Sequence, residues 1–434
     1  MRLMLKDFPE QRFDIRDYGA VCSDRLQTEA IQAAIDACFL AGGGRVVVPA
    51  GIYLTGGLRL RSNTVLYLES GAQLRGSTDP EDYLAFLKDT LEPLRPCPEE
   101  EQRSVYPYSR WNNGLIRVID AEKVAIVGEK GACLDGNNCY DPEGEEKYRG
   151  PHGINIWHSK EILLEGYTFI HSANWAQAIF ASQHITARNL TILGGHDGFD
   201  VRTCDDVLVE DCEFYTGDDC VAGFDNHDVV VRNCIFNCAC SSMRFGGNHV
   251  LVENCRSFTP ARYGFRGSLK KDQRAARALT DENCRHSTHT PFKYYCDFRA
   301  EIRKTPGDIL IRNCTFEGPD AAFQLEFDGQ HQWCCNRSLA QIKFENCTIT
   351  GVSKPLLLHG DANEPIDFCM ENVTISAREG FEDVAVAQLT NFSRFQLKNV
   401  QITDYTQPTL EIYTDGELCL ENTTALLENK IEKS

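Results

Sequence analysis

Apolar and polar residues alternate in short segments that recur along this chain. Most of these segments follow the pattern Val/Ile-x-Val/Ile-x-Asn/Asp-Cys, and the polar anchors Asn189, Asp211, Asn233 and Asn254 are separated by 22, 22 and 21 residues. Alternation with a period of two is typical of a β-strand that buries one face. A repeat of about 20 residues that carries such strands indicates the coils of a β-solenoid. We therefore predict an all-β chain of stacked coils.

The same rhythm extends almost to the C-terminus, where further anchors stand at Asn313, Asn346, Asn372, Asn399 and Asn422. Near the N-terminus, residues 28–38 place apolar side chains at helical intervals, which predicts a capping helix within an N-terminal cap at about 13–60. The rhythm breaks at about 80–115 and 258–308, and we interpret both segments as long loop insertions, the second forming a wall of a cleft. We predict a single solenoid domain over residues 1–434.

Charge and cysteine usage narrow the class of protein. A formal net charge of -19 opposes binding to nucleic acid or to an anionic membrane. The chain has no apolar run of about 20 residues and begins without a signal peptide, so we expect a cytoplasmic protein. Among its 20 cysteines, Cys212, Cys234 and Cys255 directly follow repeat anchors, which predicts an interior column of reduced thiols.

The candidate chemistry lies in three aspartates. Asp197 follows the anchor Asn189 by eight residues, Asp219 follows the anchor Asp211 by eight residues, and Asp218 is adjacent to Asp219. Equal offsets place Asp197 and Asp219 at the same position on successive coils, about 4.8 Å apart. Three crowded carboxyl groups repel one another, so at least one is expected to keep its proton near neutral pH. Such a cluster can supply both an acid and a base.

The N-terminal cap, the coil period and Asp197-Gly198-Phe199-Asp200, followed 21 residues on by the Asp218-Asp219-Cys220 motif, resemble the polygalacturonase family. This is glycoside hydrolase family 28, in the pectin-lyase-like superfamily, and the resemblance covers residues 13–425. It implies a single-stranded right-handed parallel β-helix. It also implies an inverting hydrolase in which Asp218 is the general acid, while Asp197 and Asp219 activate water. An inverting pair leaves about 6.5–9.5 Å between its carboxyl groups, room for a water molecule.

Two motifs depart from the family pattern. Cys240-Ser241-Ser242 stands where the family has Gly-His-Gly, and Arg266-Gly267-Ser268 stands where it has Arg-Ile-Lys, so Lys270 or Lys293 would have to replace the lysine. His196 replaces the threonine of the family's Asn-Thr-Asp motif. The residues that we predict to bind substrate are His196, Asp200, Arg202, Ser241, Arg244, Arg266 and Lys293. The arginines have an alternative interpretation, in which they neutralise the aspartates.

These patterns favour an exo-acting hydrolase of pectin-derived or related oligosaccharides, with an oligosaccharide as its partner and with no metal or other cofactor. Two alternatives use the same scaffold. A uronate lyase or epimerase would need a base to abstract the proton beside the substrate carboxyl group. A noncatalytic carbohydrate-binding solenoid would explain the missing family histidine and lysine. Asp-Gly and Gly-Asp-Asp are also common turn sequences, but three aspartates in one register favour catalysis.

Overall fold

The computed structural model describes residues 2–83, 107–141, 148–194, 196–266, 289–297, 302–327 and 334–431. Much of the two predicted loop insertions, including Lys270, lies outside these ranges. The chain divides into two compact units. Unit 1 comprises Met1–Asp218 and Tyr263–Arg285, and unit 2 comprises Asp219–Arg262 and His286–Ser434. The prediction of one domain over residues 1–434 stays a prediction.

Unit 1 is built from short parallel strands. Its strands are β1 (Arg12–Asp14), β2 (Gly44–Val48), β3 (Gly51–Thr55), β4 (Leu58–Leu60), β5 (Thr64–Leu68), β6 (Ala72–Gly76), β7 (Gly114–Ile119), β8 (Glu122–Gly128), β9 (Cys133–Asp135), β10 (His152–Trp157), β11 (Lys160–Glu165), β12 (Thr168–Ile170), β13 (Gln177–Phe180), β14 (Gln183–Arg188), β15 (Thr191–Gly194), β16 (Phe199–Arg202), β17 (Asp205–Glu210) and β18 (Glu213–Thr216).

These strands form three parallel ladders, and each complete coil contributes one strand to each ladder. One ladder runs β1-β2-β5-β8-β11-β14-β17. A second runs β4-β7-β10-β13-β16, and a third runs β3-β6-β9-β12-β15-β18. Parallel pairing between successive coils is the arrangement that the repeat predicted.

The predicted capping helix is present as α1, Thr28–Leu40. It buries Ile31, Ala34, Ile35 and Cys38, which recur at three- and four-residue intervals on one helical face. This face packs against β1, β2 and β4, so it covers the apolar first coil of unit 1. The described part of the chain contains no helix with the length and apolar character that a membrane crossing requires.

Unit 2 repeats the coil architecture. Its strands are β19 (Val221–Arg232), β20 (Ile235–Cys238), β21 (Ser241–Glu253), β22 (Arg256–Phe258), β23 (Thr290–Tyr294), β24 (Gly307–Arg312), β25 (Thr315–Glu317), β26 (Gln324–Glu326), β27 (Gln341–Glu345), β28 (Thr348–Val352), β29 (Leu356–His359), β30 (Ile366–Glu371), β31 (Thr374–Ala377), β32 (Ala387–Thr390), β33 (Phe392–Lys398), β34 (Gln401–Thr403), β35 (Thr409–Ile412), β36 (Glu417–Glu421) and β37 (Leu426–Asn429).

The ladders of unit 2 are also parallel. The long strands β19 and β21 pair along most of their length, with a register shift between Gly223 and Asn226. The C-terminal half of β21 continues into β24-β27-β30-β33-β36, and its N-terminal half continues into β23-β26-β29-β32-β35-β37. The third ladder is β20-β22-β25-β28-β31-β34.

The repeat anchors owe their identity to backbone geometry. Asp211 has a φ of 55° and Asn254 a φ of 55°, and the other seven anchors share this left-handed conformation. Asn and Asp adopt this conformation more readily than other residues with a Cβ atom, because their side chains hydrogen-bond locally. In unit 2 the anchor side chains also bond to one another: the Asn399 amide donates to Asn372 Oδ1 over 3.0 Å, and the Asn372 amide donates to Asn346 Oδ1 over 3.0 Å.

The cysteines after the anchors are buried free thiols at equivalent positions, so the predicted interior column is confirmed. Each thiol donates to the backbone carbonyl two residues earlier, as Cys212 does to Glu210 over 3.2 Å in unit 1 and Cys314 does to Arg312 over 3.2 Å in unit 2. The hydrogen bond to Cys255, together with burial, raises the pKa of Cys314 to about 12. This thiol therefore stays protonated and packs as a small apolar residue.

Candidate active site

Two of the predicted catalytic residues, Asp197 and Asp218, lie side by side in unit 1. Asp197 follows β15 and Asp218 follows β18, and the ends of these two strands are paired through Gly194 and Thr216. The backbone holds both turns: the Asp197 carbonyl accepts the Ala176 N–H over 2.9 Å, and the Asp218 carbonyl accepts the Thr216 hydroxyl over 3.0 Å. A carboxylate oxygen of Asp197 lies within 4.8 Å of one of Asp218. Neighbouring coils therefore bring the two carboxyl groups together.

The nearest carboxylate oxygens of Asp197 and Asp218 are within 4.8 Å of each other. The spacing of about 6.5–9.5 Å in inverting enzymes is measured between whole carboxyl groups, so the two distances are not the same quantity. The closeness of the oxygens follows from the ladder, because residues that follow paired strands start about one strand spacing, 4.8 Å, apart. Spacing alone therefore does not select inversion here. Carboxylates also bind hard cations, but these take about six oxygens or more, so the pair by itself does not define a metal site.

The two carboxyl groups differ in exposure. Asp197 is 6% exposed, whereas Asp218 is half-buried. A group that donates a proton to a leaving oxygen must reach the bound substrate, so the greater exposure of Asp218 suits the acid role predicted for it.

His196, the residue before Asp197, is buried and packed against an aromatic ring. Its plane lies 16° from that of Tyr140, with the ring centroids 6.4 Å apart. Its Nδ1 atom lies 3.3 Å from Nη1 of Arg149. Burial, followed by the charges of Arg149 and Arg266, lowers the pKa of His196 well below its usual value of 6.5. The imidazole is therefore neutral at physiological pH, and it would not act there as a charged acid.

Arg266 lies in the same cluster of unit 1. Its guanidinium carbon is 4.8 Å from the centroid of the Tyr140 ring, and its Nη2 atom donates to Asn138 Oδ1 over 3.2 Å. Arg266 is 1% exposed, and its positive charge helps to lower the pKa of His196. The buried residues Arg266, Tyr140 and His196 and the half-buried Arg149 thus form a positively charged cluster, which we call the histidine cluster.

Asp200 and Arg202 pair with each other in β16. The guanidinium makes two hydrogen bonds to the carboxylate, over 2.7 and 2.9 Å, and its carbon lies 4.4 Å from the centroid of the Trp175 ring. All three side chains are buried. This contact agrees with the alternative interpretation that the arginines neutralise aspartates, while substrate binding by Asp200 and Arg202 stays a prediction.

In unit 2, Asp219 is held by two donors. The backbone N–H of Ser241 donates to Oδ1 over 2.8 Å, and Nη1 of Arg244 lies 3.4 Å from Oδ2. Because the donor is the backbone N–H of Ser241, any residue other than proline at this position could make the same hydrogen bond to Asp219. Arg244 also lies over the Tyr295 ring, with its guanidinium carbon 4.3 Å from the centroid. Lys293 is half-buried and is the register partner of Arg244 in β23.

Sequence reasoning did not find Arg149 or Tyr140. Neither residue belongs to the coil repeat, and Arg149 is 47 residues from the histidine that it contacts. No local signal marks them, because their positions follow from irregular segments between strands. The same reasoning did identify His196 and Arg266, through their alignment with the family motifs.

The fold and the acidic pair define a parallel β-helix protein with a candidate carbohydrate site, and comparison with known proteins agrees. Residues 45–242 match the model of glycosyl hydrolases family 28, and residues 178–363 match that of the right-handed β-helix region. A probable polygalacturonase of Vitis vinifera is 28% identical over 229 residues, which are 49% of this chain and 45% of that relative. The chain thus spans less than half the length of this curated relative.

Solved structures share the fold over most of the chain. An exopolygalacturonase of Thermotoga maritima has a TM-score of 0.64 and 18% identity, with 91% of this chain and 92% of that chain covered. A family 28 exopolygalacturonase of Yersinia enterocolitica has a TM-score of 0.65 and 18% identity, with 98% and 79% covered. The predicted right-handed parallel β-helix is confirmed. Over residues 45–242 the chain is similar to glycoside hydrolases of family 28, and it is polygalacturonase-like.

Proposed function

We propose that this chain is an inverting glycoside hydrolase that cleaves pectin-derived or related uronate oligosaccharides. The observation that carries the proposal is the pair Asp197 and Asp218, whose carboxylate oxygens lie within 4.8 Å at the ends of two paired strands. The family match and the polygalacturonase relative support the same reaction class. Most glycoside hydrolases use two carboxyl groups that flank the glycosidic bond.

In the proposed mechanism, Asp218 gives its proton to the leaving glycosidic oxygen as the bond to the anomeric carbon breaks. A water molecule forms the new bond to that carbon from the opposite face, and its proton passes to Asp197. The products are two shorter sugars, and solvent then returns the carboxyl groups to their starting protonation. The water-activating role predicted for Asp219 stays a prediction.

The reaction can be tested by following purified protein with galacturonan, rhamnogalacturonan and neutral oligosaccharides by proton NMR. The first anomer formed should have the inverted configuration, and Asp218→Asn should abolish its formation. Asp211→Asn is the matched control, because it makes the same chemical change at an anchor of unit 1, where Asn is the usual residue. Retained configuration would reject inversion.

Other outcomes select the alternatives. An unsaturated product would identify a lyase, and a change of sugar configuration without cleavage would identify an epimerase. Binding without turnover of any substrate would identify a carbohydrate-binding solenoid.

We further propose that the hydrolase is exo-acting. The exopolygalacturonases of similar fold support this proposal. An exo enzyme releases one product size from the first turnovers, whereas an endo enzyme releases a mixture. Chromatography of early products from a long oligogalacturonate would distinguish these two modes.

A further inference from the structure

The outer face of one ladder in unit 1 is buried. Along β7, β10 and β13 the register partners Val118, Ile156 and Ile179 form an apolar row, whereas Arg117 and its partner Asn155 belong to the row on the opposite face. The row with polar members marks the outer face. Since polar side chains on an outer face are normally exposed, burial there means that another segment lies over it. Six outward side chains are at most 5% exposed: Arg117, Ile119, Asn155, Trp157, Ala178 and Phe180.

The segment before β7 lies on this outer face. Its Pro107 carbonyl accepts a hydrogen bond from Nη2 of Arg117 over 3.0 Å. The Tyr108 ring packs against an apolar cluster on the same face, and the Tyr108 hydroxyl donates to Oδ2 of Asp120 over 3.4 Å. The segment is therefore attached by both polar and apolar contacts. The cluster consists of Ile119, Trp157, Trp175, Ala178 and Phe180.

The cover extends to the coil that carries Asp197. Trp111 meets Trp175 edge to face, with the ring centroids 6.2 Å apart. Trp175 lies in turn against Arg202 of β16, whose guanidinium carbon is 4.4 Å from the centroid of its ring. The next residue, Ala176, donates its N–H to the Asp197 carbonyl over 2.9 Å. The covered face thus ends beside a predicted catalytic residue.

A comparable outward row in unit 2 is more open. It begins at Arg244 in β21, whose side chain is 23% exposed, and it follows the register pairs through β23, β26, β29, β32 and β35. Burial of the outward row is therefore a local property of unit 1 and not a general consequence of the coils. The half-buried members of the row in unit 2 are Arg244, Lys293, Leu357, Gln388 and Glu411.

We infer that residues 107–111 form a wall that restricts the site to the end of a sugar chain. Packed side chains leave few voids larger than a water molecule, so a glycan bound at Asp197 and Asp218 cannot continue over β13, β10 and β7. This inference rests on the proposed function, and it assigns Tyr108 and Trp111 as specificity-determining residues for the exo mode.

Variants that open the wall test the inference. Tyr108→Ala combined with Trp111→Ala removes the two aromatic rings that contact the cluster. We expect the early products from a long oligogalacturonate to shift from one size to a mixture, because the chain can then cross the wall. The control is Tyr67→Ala, which removes another half-buried tyrosine of unit 1, one whose hydroxyl donates to Glu129 over 2.7 Å. It should keep the single product size.

Oxidation of Trp157 by hydroxyl radicals, read by mass spectrometry, reports on the wall without turnover. It should be slow in the wild type and in Tyr67→Ala and faster in the double variant. Fast oxidation in the wild type, or no increase in the double variant, would show that Tyr108 and Trp111 do not cover this face. Faster oxidation with an unchanged single product size would also overturn the inference, while leaving the hydrolase proposal intact.

A binding measurement requires no change in the wall. Titration calorimetry of Asp218→Asn with a short and a long galacturonan should give one protein per chain at both lengths, because the wall admits only a chain end. Several proteins on each long chain would overturn the inference. Absence of both binding and turnover across the glycan panel would instead refute the proposed function, and the oxidation of Trp157 would still decide whether the wall exists.

Discussion

The turns at the repeat anchors and the turns of the candidate active site both follow short parallel strands, yet they treat polar groups in opposite ways. At the anchors, the side chains are at the surface and bond to equivalent residues on the next coil, as Asn399 does to Asn372. At the site of unit 1, His196 and Asp197 are buried, Asp218 is half-buried, and Nε2 of His196 has no acceptor within the described residues. The repeat therefore supplies stability, whereas the site keeps a polar atom that the described part of the chain does not satisfy.

The largest expected effect is on catalysis. Asp197→Asn should lower kcat by about 10²- to 10⁴-fold, the usual contribution of a general base, because an amide cannot take the proton from water. Its thermal midpoint should stay the same or rise, since the change removes one of two carboxylates with oxygens within 4.8 Å of each other. Steady-state kinetics and a thermal scan check both parts. A large fall in the midpoint together with kcat would mean that Asp197 maintains the fold, as an anchor does.

The anchors should show the reverse behaviour. Asn372→Val places a β-branched residue at a φ of 55°, which costs about 1–3 kcal/mol, and it also removes the amide that donates to Asn346 over 3.0 Å. We expect the free energy of unfolding, measured with urea, to fall by this amount, and kcat per folded molecule to stay constant. Asn372→Gly is the matched control, because glycine tolerates the backbone conformation and loses only the hydrogen bonds.

The anchors and the pair of Asp197 and Asp218 could both be predicted from the sequence, for different reasons. The anchors and the thiol column were predictable because they recur with the period of the coils. The helix α1 was predictable because its apolar residues recur with the period of a helical turn. The closeness of Asp197 and Asp218 was predictable because the two residues are one coil apart. The pair of Asp200 and Arg202 follows from their separation by two residues, which places both on the same face of β16.

The histidine cluster could not be predicted from periodicity. Arg266 reaches Asn138 across 128 residues of sequence, and Tyr140 and Arg149 lie in irregular segments. Such contacts depend on the path of the chain between coils, which alternation of apolar and polar residues does not specify.

The pH dependence of stability should reveal the buried imidazoles of unit 1. Burial lowers the pKa of His152 to about 3, below its usual value of 6.5, so the unfolded chain binds a proton that the folded chain excludes. The stabilisation is complete above pH 6.5 and is lost as the pH falls towards 3. Within this window, one such group contributes a slope of about 1.4 kcal/mol per pH unit. Urea unfolding at several pH values should give a smaller slope for His152→Phe than for the wild type, and an equal slope would show that His152 is protonated in the folded protein.

The smallest expected effect is that of a substitution at the anchor Asp211. Asp211 occupies an anchor with a φ of 55°, and the other eight anchors, with the same left-handed conformation, are asparagines. Asp211→Asn should therefore change the free energy of unfolding by less than about 0.5 kcal/mol and should leave kcat unchanged. The same chemical change at Asp197 should remove activity. If Asp211→Asn also lowered kcat, the reaction would depend on negative charge along the coils and not only at the candidate site. If kcat stayed normal in Asp211→Asn, the loss of activity in Asp197→Asn would be due to the carboxyl group at the site, because both substitutions make the same change of side chain.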